Sequence, residues 1–230
     1  MEAIILAGGK AERLGDAAGG RPKALVEVAG KPLAAYQVGR LVAAGVTRVI
    51  FACAAGQGSL FVEELVGLGA EIVVAEEPER LGRGGGIKFA SALREEPGDV
   101  FALNGDELVD VDFAGLLERH RSTAALATIA VAQPKSQFGL VDVDDEDVVH
   151  GFREGGQVSF WVNCGNYVLT DEAIARFPEK GDHESSTFPE LAAEGKLRAF
   201  RHGGLWLTVN TPKELRTAQE HVESHPEWLA

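Results

Sequence analysis

Short, continuous apolar runs alternate with segments of helical period from the first residues onward. Residues 3–7 (AIILA) end in Gly8-Gly9 and predict a fully buried strand that enters a loop. Residues 32–44 (PLAAYQVGRLVAA) open on proline, repeat apolar positions at helical spacing and stop before Gly45, which predicts a helix. A strand at 46–54, a helix at 61–68, a strand at 70–75, a helix at 86–96 and a strand at 99–103 follow. That alternation predicts parallel βαβ units with right-handed crossovers.

Beyond residue 110 the pattern changes. Residues 126–132, 139–142 and 161–169 predict strands separated by turn-rich, acidic stretches, and 171–177, 188–194 and 211–223 predict helices. Thr211 is placed to cap the last of these, with Pro212 at its first position and Glu214 completing a capping box. These strands are expected to extend the parallel sheet as mixed neighbours within a single domain. The expected class is α/β, a doubly wound, mostly parallel mixed sheet in three α/β/α layers.

Composition narrows the function. With 22 Lys+Arg against 35 Asp+Glu the net charge is −13, which argues against nucleic acid and anionic membrane as partners. An anionic ligand must then be held by a few local cations and backbone N–H groups. Cys53 and Cys164 lie in apolar stretches and read as reduced, buried thiols of a cytoplasmic protein. The opening run is too short, and lacks the basic flank, for a signal peptide.

Ligands of doubly wound sheets bind at the carboxyl ends of strands. Three polar clusters fall there: Gly8-Gly9, residues 81–86, and Asn104-Gly105-Asp106. Lys10, Arg13, Arg21 and Lys23 follow the first glycines closely, a combination suited to a polyphosphate cradle. No GxxxxGK[ST], GxGxxG or GxSxG pattern occurs at these strand ends, and no His or Cys pair has zinc spacing. The six histidines read as surface residues.

The motifs LAGG-x-x-x-R-L, R-P-K-A-L and G-K-P-L, then E-P-E-R-L-G-R-G-G-G-I, L-N-G-D, W-V-N-C-G-N-Y-V-L, F-P-E-L and W-L-T-V-N-T-P run in one order over nearly the whole chain. Jointly they resemble the sugar-1-phosphate nucleotidylyltransferases. The resemblance implies a Rossmann-like fold, with a nucleotide-binding half over 1–112 and a sugar-phosphate-binding half over 113–230. Because the chain stops after its Thr211 helix, no acyltransferase or left-handed β-helix extension of the kind longer members carry is expected. It also implies a reaction in which a sugar 1-phosphate attacks the α-phosphorus of a nucleoside triphosphate and releases pyrophosphate. Such an attacking oxygen is already anionic, so catalysis comes from alignment and charge neutralisation rather than from a strong base.

By that resemblance Arg13, Lys23 and Asp106 are the catalytic residues, with Arg13 on the leaving pyrophosphate and Lys23 at the reacting centre. Leu6, Ala7, Gly8, Gly9, Lys23, Glu77, Leu81, Gly82, Gly84, Gly85 and Asn104 would bind the nucleotide, and Gly139, Glu154, Asn163 and Gly165 the sugar phosphate. Mg²⁺ is the implied cofactor, on Asp106 and Asn210. A homodimer is the default assembly.

The chain departs from the family pattern at three places. Ala11 and Glu12 replace a common Gly-Thr, and Gly155 stands where many members carry a lysine for the sugar phosphate, for which Arg153, Arg83 and Lys135 are candidate substitutes. Thr208 stands where a second metal-binding Asp is common, and Asn210, two residues on, offers a carbonyl oxygen instead. A guanylyltransferase for a mannose- or heptose-like 1-phosphate is the favoured reading, ahead of uridylyl or cytidylyl transfer. Its rivals are a catalytically weak subunit that senses nucleotide or sugar phosphate, and a transferase for another phosphate such as phosphocholine.

Overall fold

The structure, a computed structural model, describes residues 1–136 and 138–228. The first half builds β1 (Glu2–Leu6), α1 (Leu33–Ala43), β2 (Arg48–Ala54), α2 (Gly58–Leu65), β3 (Glu71–Glu77), α3 (Gly82–Ser91) and β4 (Val100–Asn104). A short strand β5 (Glu107–Val109) and helix α4 (Phe113–Arg121) lead into β6 (Ala127–Ala132). Next come a ribbon of β7 (Leu140–Val143) and β8 (Val149–Arg153), and the long strand β9 (Val162–Leu169). The chain then forms α5 (Asp171–Ala175), α6 (Thr187–Ala193), β10 (Leu197–Arg201), β11 (Trp206–Thr208) and α7 (Pro212–Ser224).

Seven strands form one sheet in the order β10-β6-β9-β4-β1-β2-β3. β1 lies parallel between β2 and β4, and β9 runs antiparallel between β4 and β6. The second half therefore extends the sheet of the first. Alternate strand residues enter opposite layers, as the pleat requires. Ala3, Ile5, Phe51 and Leu103 pack on one side with Val38 and Leu41 of α1, Phe61 of α2 and Leu116 of α4. Ile4, Ile50 and Ala102 pack on the other with Ile87 of α3, Ile174 of α5 and Leu191 of α6. A third apolar cluster joins Leu215, Ala218 and Val222 of α7 to Leu14, Val28, Leu33 and Tyr36, so the C-terminal helix rests on the first thirty-odd residues.

Several elements differ from the pattern-based expectation. α3 starts four residues early, inside the glycine run, because tertiary partners satisfy its N-terminus: Gly181 O accepts from the N–H groups of Gly84 and Gly85 at 3.0 and 3.3 Å. Its far end stops at Ser91, where the Glu2 carboxylate takes the N–H groups of Glu95 and Glu96 at 3.0 and 3.1 Å. α2 likewise starts early, at Gly58, whose N–H donates to Glu76 Oε1 at 2.8 Å. Helix α4, capped by Asp112, and strands β8 and β10 are additions; each is short and mixes charged residues with its apolar ones, which weakens its periodic signal. Three histidines taken as surface residues are buried: His120, His183 and His202. Both cysteines are free and buried, and desolvation pushes their thiols up to about 11 for Cys53 and about 12 for Cys164. Among the described residues no helix is long and apolar enough to cross a membrane.

Candidate active site

A cleft of about 450 Å³ opens at the carboxyl ends of β1, β3 and β4. Gly8 and Gly9 form one wall. Neither has the positive φ that favours glycine, and a Cβ at either position would meet protein atoms only at 3.8 Å or beyond. The fold itself does not require glycine there; a ligand approaching from the cleft would. Gly105 differs, because a Cβ there would stand 2.5 Å from Leu6 O, and its N–H donates to that carbonyl at 2.9 Å.

The turn carrying Asp106 is held from below. Gln37, buried on α1, donates its Nε2 to Asn104 O at 2.7 Å and to Glu107 O at 3.1 Å. Lys23 reaches the same place from a short turn that follows Pro22. It is only 8% exposed, and its ammonium donates to Asp106 Oδ2 at 2.6 Å and to Asn210 Oδ1. Arg13 Nη2 donates to that same amide oxygen at 2.8 Å. Four residues far apart in the chain thus meet at one point.

Asn210 owes its position to Glu214. One carboxylate oxygen of Glu214 accepts from Thr208 Oγ1 at 3.0 Å, and the other accepts from the Asn210 N–H at 2.9 Å and Thr211 Oγ1 at 3.1 Å. Burial opposes ionisation of this carboxyl, but those donors outweigh it and hold it below the usual range. The Thr208 hydroxyl is spent on Glu214, which leaves Asn210 as the residue of this segment that faces Lys23.

Two more acids shape the site. Glu77 is buried against the cleft floor, where desolvation raises its carboxyl despite a bond from the Leu81 N–H at 3.0 Å. Glu107 is buried deeper, and desolvation followed by the charge of Asp106 pushes it well above the carboxylate range. The side chains of Asn104 and Trp206 face Glu107 and partly offset that rise, and Glu107 Oε2, Asn104 Oδ1 and Trp206 Nε1 are all buried. Gly165, with φ +65, sits at the bulge in β9; a Cβ there would collide with Asn104 Nδ2 and reach Glu107 Oε2 at 2.7 Å.

The residues assigned to the nucleotide divide into two groups. Leu6, Ala7, Gly8, Gly9, Lys23, Glu77, Gly82 and Asn104 line the cleft. Leu81, Gly84 and Gly85 instead meet the 178–183 loop: a Cβ on Gly84 would strike His183 N at 2.8 Å, one on Gly85 Glu179 O at 2.5 Å, and Leu81 O accepts from Gly181 N at 2.7 Å. Of the four early cations, Arg21 points away and pairs with Glu27 at 3.0 Å and with Glu64. Arg80 and Arg83 join the cleft in its place.

The sugar-side residues spread further. Asn163 donates to Glu184 Oε1 at 2.9 Å and to Tyr167 OH at 2.8 Å, and Glu184 Oε2 pairs with Arg83 Nη1 at 2.9 Å. Asn163 is thereby linked to a cation that lines the cleft. Glu154 is exposed at the foot of the β7–β8 ribbon, and Gly139 lies against Phe152, where a Cβ would reach Cζ at 2.6 Å. Of the candidate substitutes for the missing lysine, Arg83 lines the cleft, whereas Lys135 and Arg153 belong to the ribbon and its base. Sequence reading missed Gln37 and Glu107, although a polar residue in the apolar run of α1 and an acid directly after Asp106 were the available signals.

Comparison with known proteins identifies the family. The nucleotidyl transferase family model matches residues 2–225. Mannose-1-phosphate guanyltransferase beta-A of Xenopus laevis is 33% identical across the whole chain, which spans 68% of that relative. Mannose-1-phosphate guanylyltransferase of Mycobacterium tuberculosis is 34% identical over 93% of the chain and 62% of its own length. The crystal structure of HddC from Yersinia pseudotuberculosis superposes with a TM-score of 0.73 at 27% identity, covering 96% of this chain and 98% of that one. With its fold, its ordered motifs and its cleft at the strand ends, the chain belongs to the nucleotidyl transferase family, among the sugar-1-phosphate nucleotidylyltransferases.

Proposed function

We propose that the protein transfers a guanylyl group from GTP to a mannose- or heptose-like 1-phosphate, with uridylyl or cytidylyl transfer as the next reading. The observation that carries the reaction class is the meeting of Lys23, Arg13, Asp106 and Asn210 at one end of the cleft. The guanine preference follows the relatives named mannose-1-phosphate guanylyltransferases and the HddC structure complexed with GMP-PN, which is 25% identical with a TM-score of 0.71.

In this reading Gly8 and Gly9 let the triphosphate lie close to the backbone, Arg13 neutralises the departing pyrophosphate, and the Lys23 ammonium neutralises charge at the α-phosphate. Asn163, with Glu154 and Gly139 at the ribbon and Gly165 at the bulge, serves the sugar phosphate. Family members generally use a divalent metal, and Mg²⁺ is our reading for this chain. The donor set fits it: one carboxylate and one amide oxygen, both hard donors, already share a single cationic partner. Among the described residues no group of three or more His, Cys, Asp or Glu gathers as a metal site, so Asp106 and Asn210 would hold the ion together with phosphate oxygens. When bound, Mg²⁺ would supply further neutralisation of the triphosphate charge. We place the enzyme in the cytoplasm.

Pyrophosphate release in Mg²⁺, with GTP, UTP, CTP, ATP and dTTP crossed against sugar 1-phosphates and Lys23→Ala as the blank, tests the whole reading. Turnover with GTP and one sugar phosphate, abolished in the blank, is the expected result. Silence from protein that still binds nucleotide would transfer the assignment to the sensing subunit, and turnover only with phosphocholine would overturn the sugar.

A further inference from the structure

Besides the group around Lys23, the cleft carries a second set of charges that the proposed reaction does not use. Arg83 and Asp182 both line it. Arg83 Nε donates to Asp182 Oδ2 at 2.8 Å, its Nη2 meets the same oxygen, and its Nη1 pairs with Glu184 Oε2 at 2.9 Å. The other Asp182 oxygen accepts from the Glu184 N–H at 3.0 Å. Glu184 in turn accepts from Asn163 Nδ2 at 2.9 Å and from Tyr167 OH at 3.0 Å. The segment that brings both acids is itself fixed. Gly181 O takes the N–H groups of Gly84 and Gly85, and the buried His183 stacks on Phe177 at 4.7 Å. The Arg83 side chain is still 44% exposed and that of Asp182 33%, so the pair is held in place yet open to the cleft.

Charge decides what that ligand is. One guanidinium against two carboxylates sums to +1 − 2 = −1. A phosphate placed here would meet two anions and a cation already paired, so this corner suits the phosphates of neither substrate. Neutral hydroxyls suit it. A hydroxyl both donates and accepts, and a guanidinium beside a carboxylate offers a donor next to an acceptor. Two hydroxyls on neighbouring carbons match the pair, one donating to Asp182 and the other accepting from Arg83. Because the pair is fixed beforehand, little ordering is left for the ligand to impose. We infer that Arg83 and Asp182 select the acceptor sugar by hydrogen bonds to two neighbouring hydroxyls of its ring. The inference rests on the proposed transfer to a sugar 1-phosphate. The ribose of the nucleotide carries such a diol too, but the chain of contacts from Arg83 through Glu184 to Asn163 joins the pair to the sugar side.

The test is equilibrium binding by calorimetry on the full chain, with and without a GTP analogue that cannot transfer its nucleotide. Mannose, heptose, glucose and galactose 1-phosphates are titrated first, then the deoxy analogues of the one that binds best. The wild type should bind the analogues lacking a hydroxyl at two neighbouring ring positions about 10–100-fold more weakly. Asp182→Ala and Arg83→Ala should bind the parent sugar phosphate that much more weakly and no longer distinguish it from those two analogues. Both should still discriminate at the other positions and bind the GTP analogue as the wild type does. Asp182→Asn, whose amide oxygen can still take the Glu184 N–H, repeats the comparison with that contact kept. Variants that weaken the parent and every analogue equally would mark a purely structural role and overturn the inference. So would a wild type that binds no sugar 1-phosphate, or a loss confined to the nucleotide and its 2′- and 3′-deoxy forms. Pyrophosphate release is read separately: a wild type that discriminates sugar phosphates in this way without turnover would sink the proposed transfer and leave the Arg83–Asp182 pair standing.

Discussion

The cleft end around Lys23 and the ribbon around Phe152 are built on opposite plans. At the cleft, charged groups are cross-tied around the buried Lys23. Lys23 meets Asp106 and Asn210, Arg13 meets Asn210, Glu214 holds Asn210 from behind, and Gln37 clamps the Asp106 turn from below. On the ribbon, the apolar side chains are the exposed ones, and Glu154 stands in solvent. A preorganised array of charges works because it does not have to reorganise when charge moves, so its members must be fixed by neighbours. The contrast teaches that the Lys23 end of the cleft is fixed by contacts within the folded chain, whereas the ribbon leaves its apolar face exposed.

Lys23→Ala attacks the cleft plan most directly, and kcat for pyrophosphate release should fall on the order of 10²–10³-fold. Glu154→Ala at the ribbon foot should instead raise KM for the sugar phosphate and leave KM for the nucleotide unchanged. Equal effects on the two KM values would erase the distinction between the regions. Glu214→Ala is next in size. With Asn210 no longer held, the Mg²⁺ concentration for half-maximal rate should rise about tenfold, and Mg²⁺ binding followed calorimetrically in the presence of nucleotide should weaken in parallel. Asn210→Ala should do the same; an unmoved Mg²⁺ titration in both would remove Asn210 from the metal.

The remaining effects concern stability. Burial, and then the charge of Asp106, raises the Glu107 carboxyl well above its ordinary value in the folded chain. Above that ordinary value the unfolded chain releases its proton first, so stability declines as pH rises toward the folded pKa. Glu107→Gln should therefore melt higher than wild type, with a gap that widens from pH 5 to pH 8. His183 has the opposite sign. Burial depresses it to about 4, and it stacks on Phe177 at 4.7 Å with neither ring nitrogen hydrogen-bonded. Unfolded chains take up a proton there below the ordinary value of about 6.5 and the folded one does not, so stability is lost as pH falls from about 6.5 toward 4. His183→Phe should keep the stack and flatten that acid limb of the melting curve.

Most of the sheet was legible in the sequence. Apolar runs ending in glycine or Asn-Gly-Asp placed the central strands to within two residues or so, because a strand buried on both faces has a strong composition signal. The ribbon's second strand and β10 were not legible. Each is five residues long with basic residues three apart, so no strict alternation marks it, and it owes its pairing to a neighbour rather than to its own pattern. Gly84 and Gly85 were legible as special but not for their contacts, since the loop at 178–183 that crowds them is nearly a hundred residues away.

The sequence by itself determined the order of the elements, the glycines at the strand ends, and the small set of cations and acids available to the site. It could not choose among them. Arg21 and Lys23 are two residues apart in the same loop and equally charged, yet one pairs with Glu27 and Glu64 on the surface and the other is buried against Asp106 and Asn210. Only the tertiary structure decided which faces the cleft. A short turn after Pro22 carries Lys23, and the partners that hold it arrive from a strand end 83 residues on and from the segment before the last helix, 187 residues on. Charge in a protein is neutralised by whatever the fold brings within about 3 Å, and spacing along the chain carries no information about that.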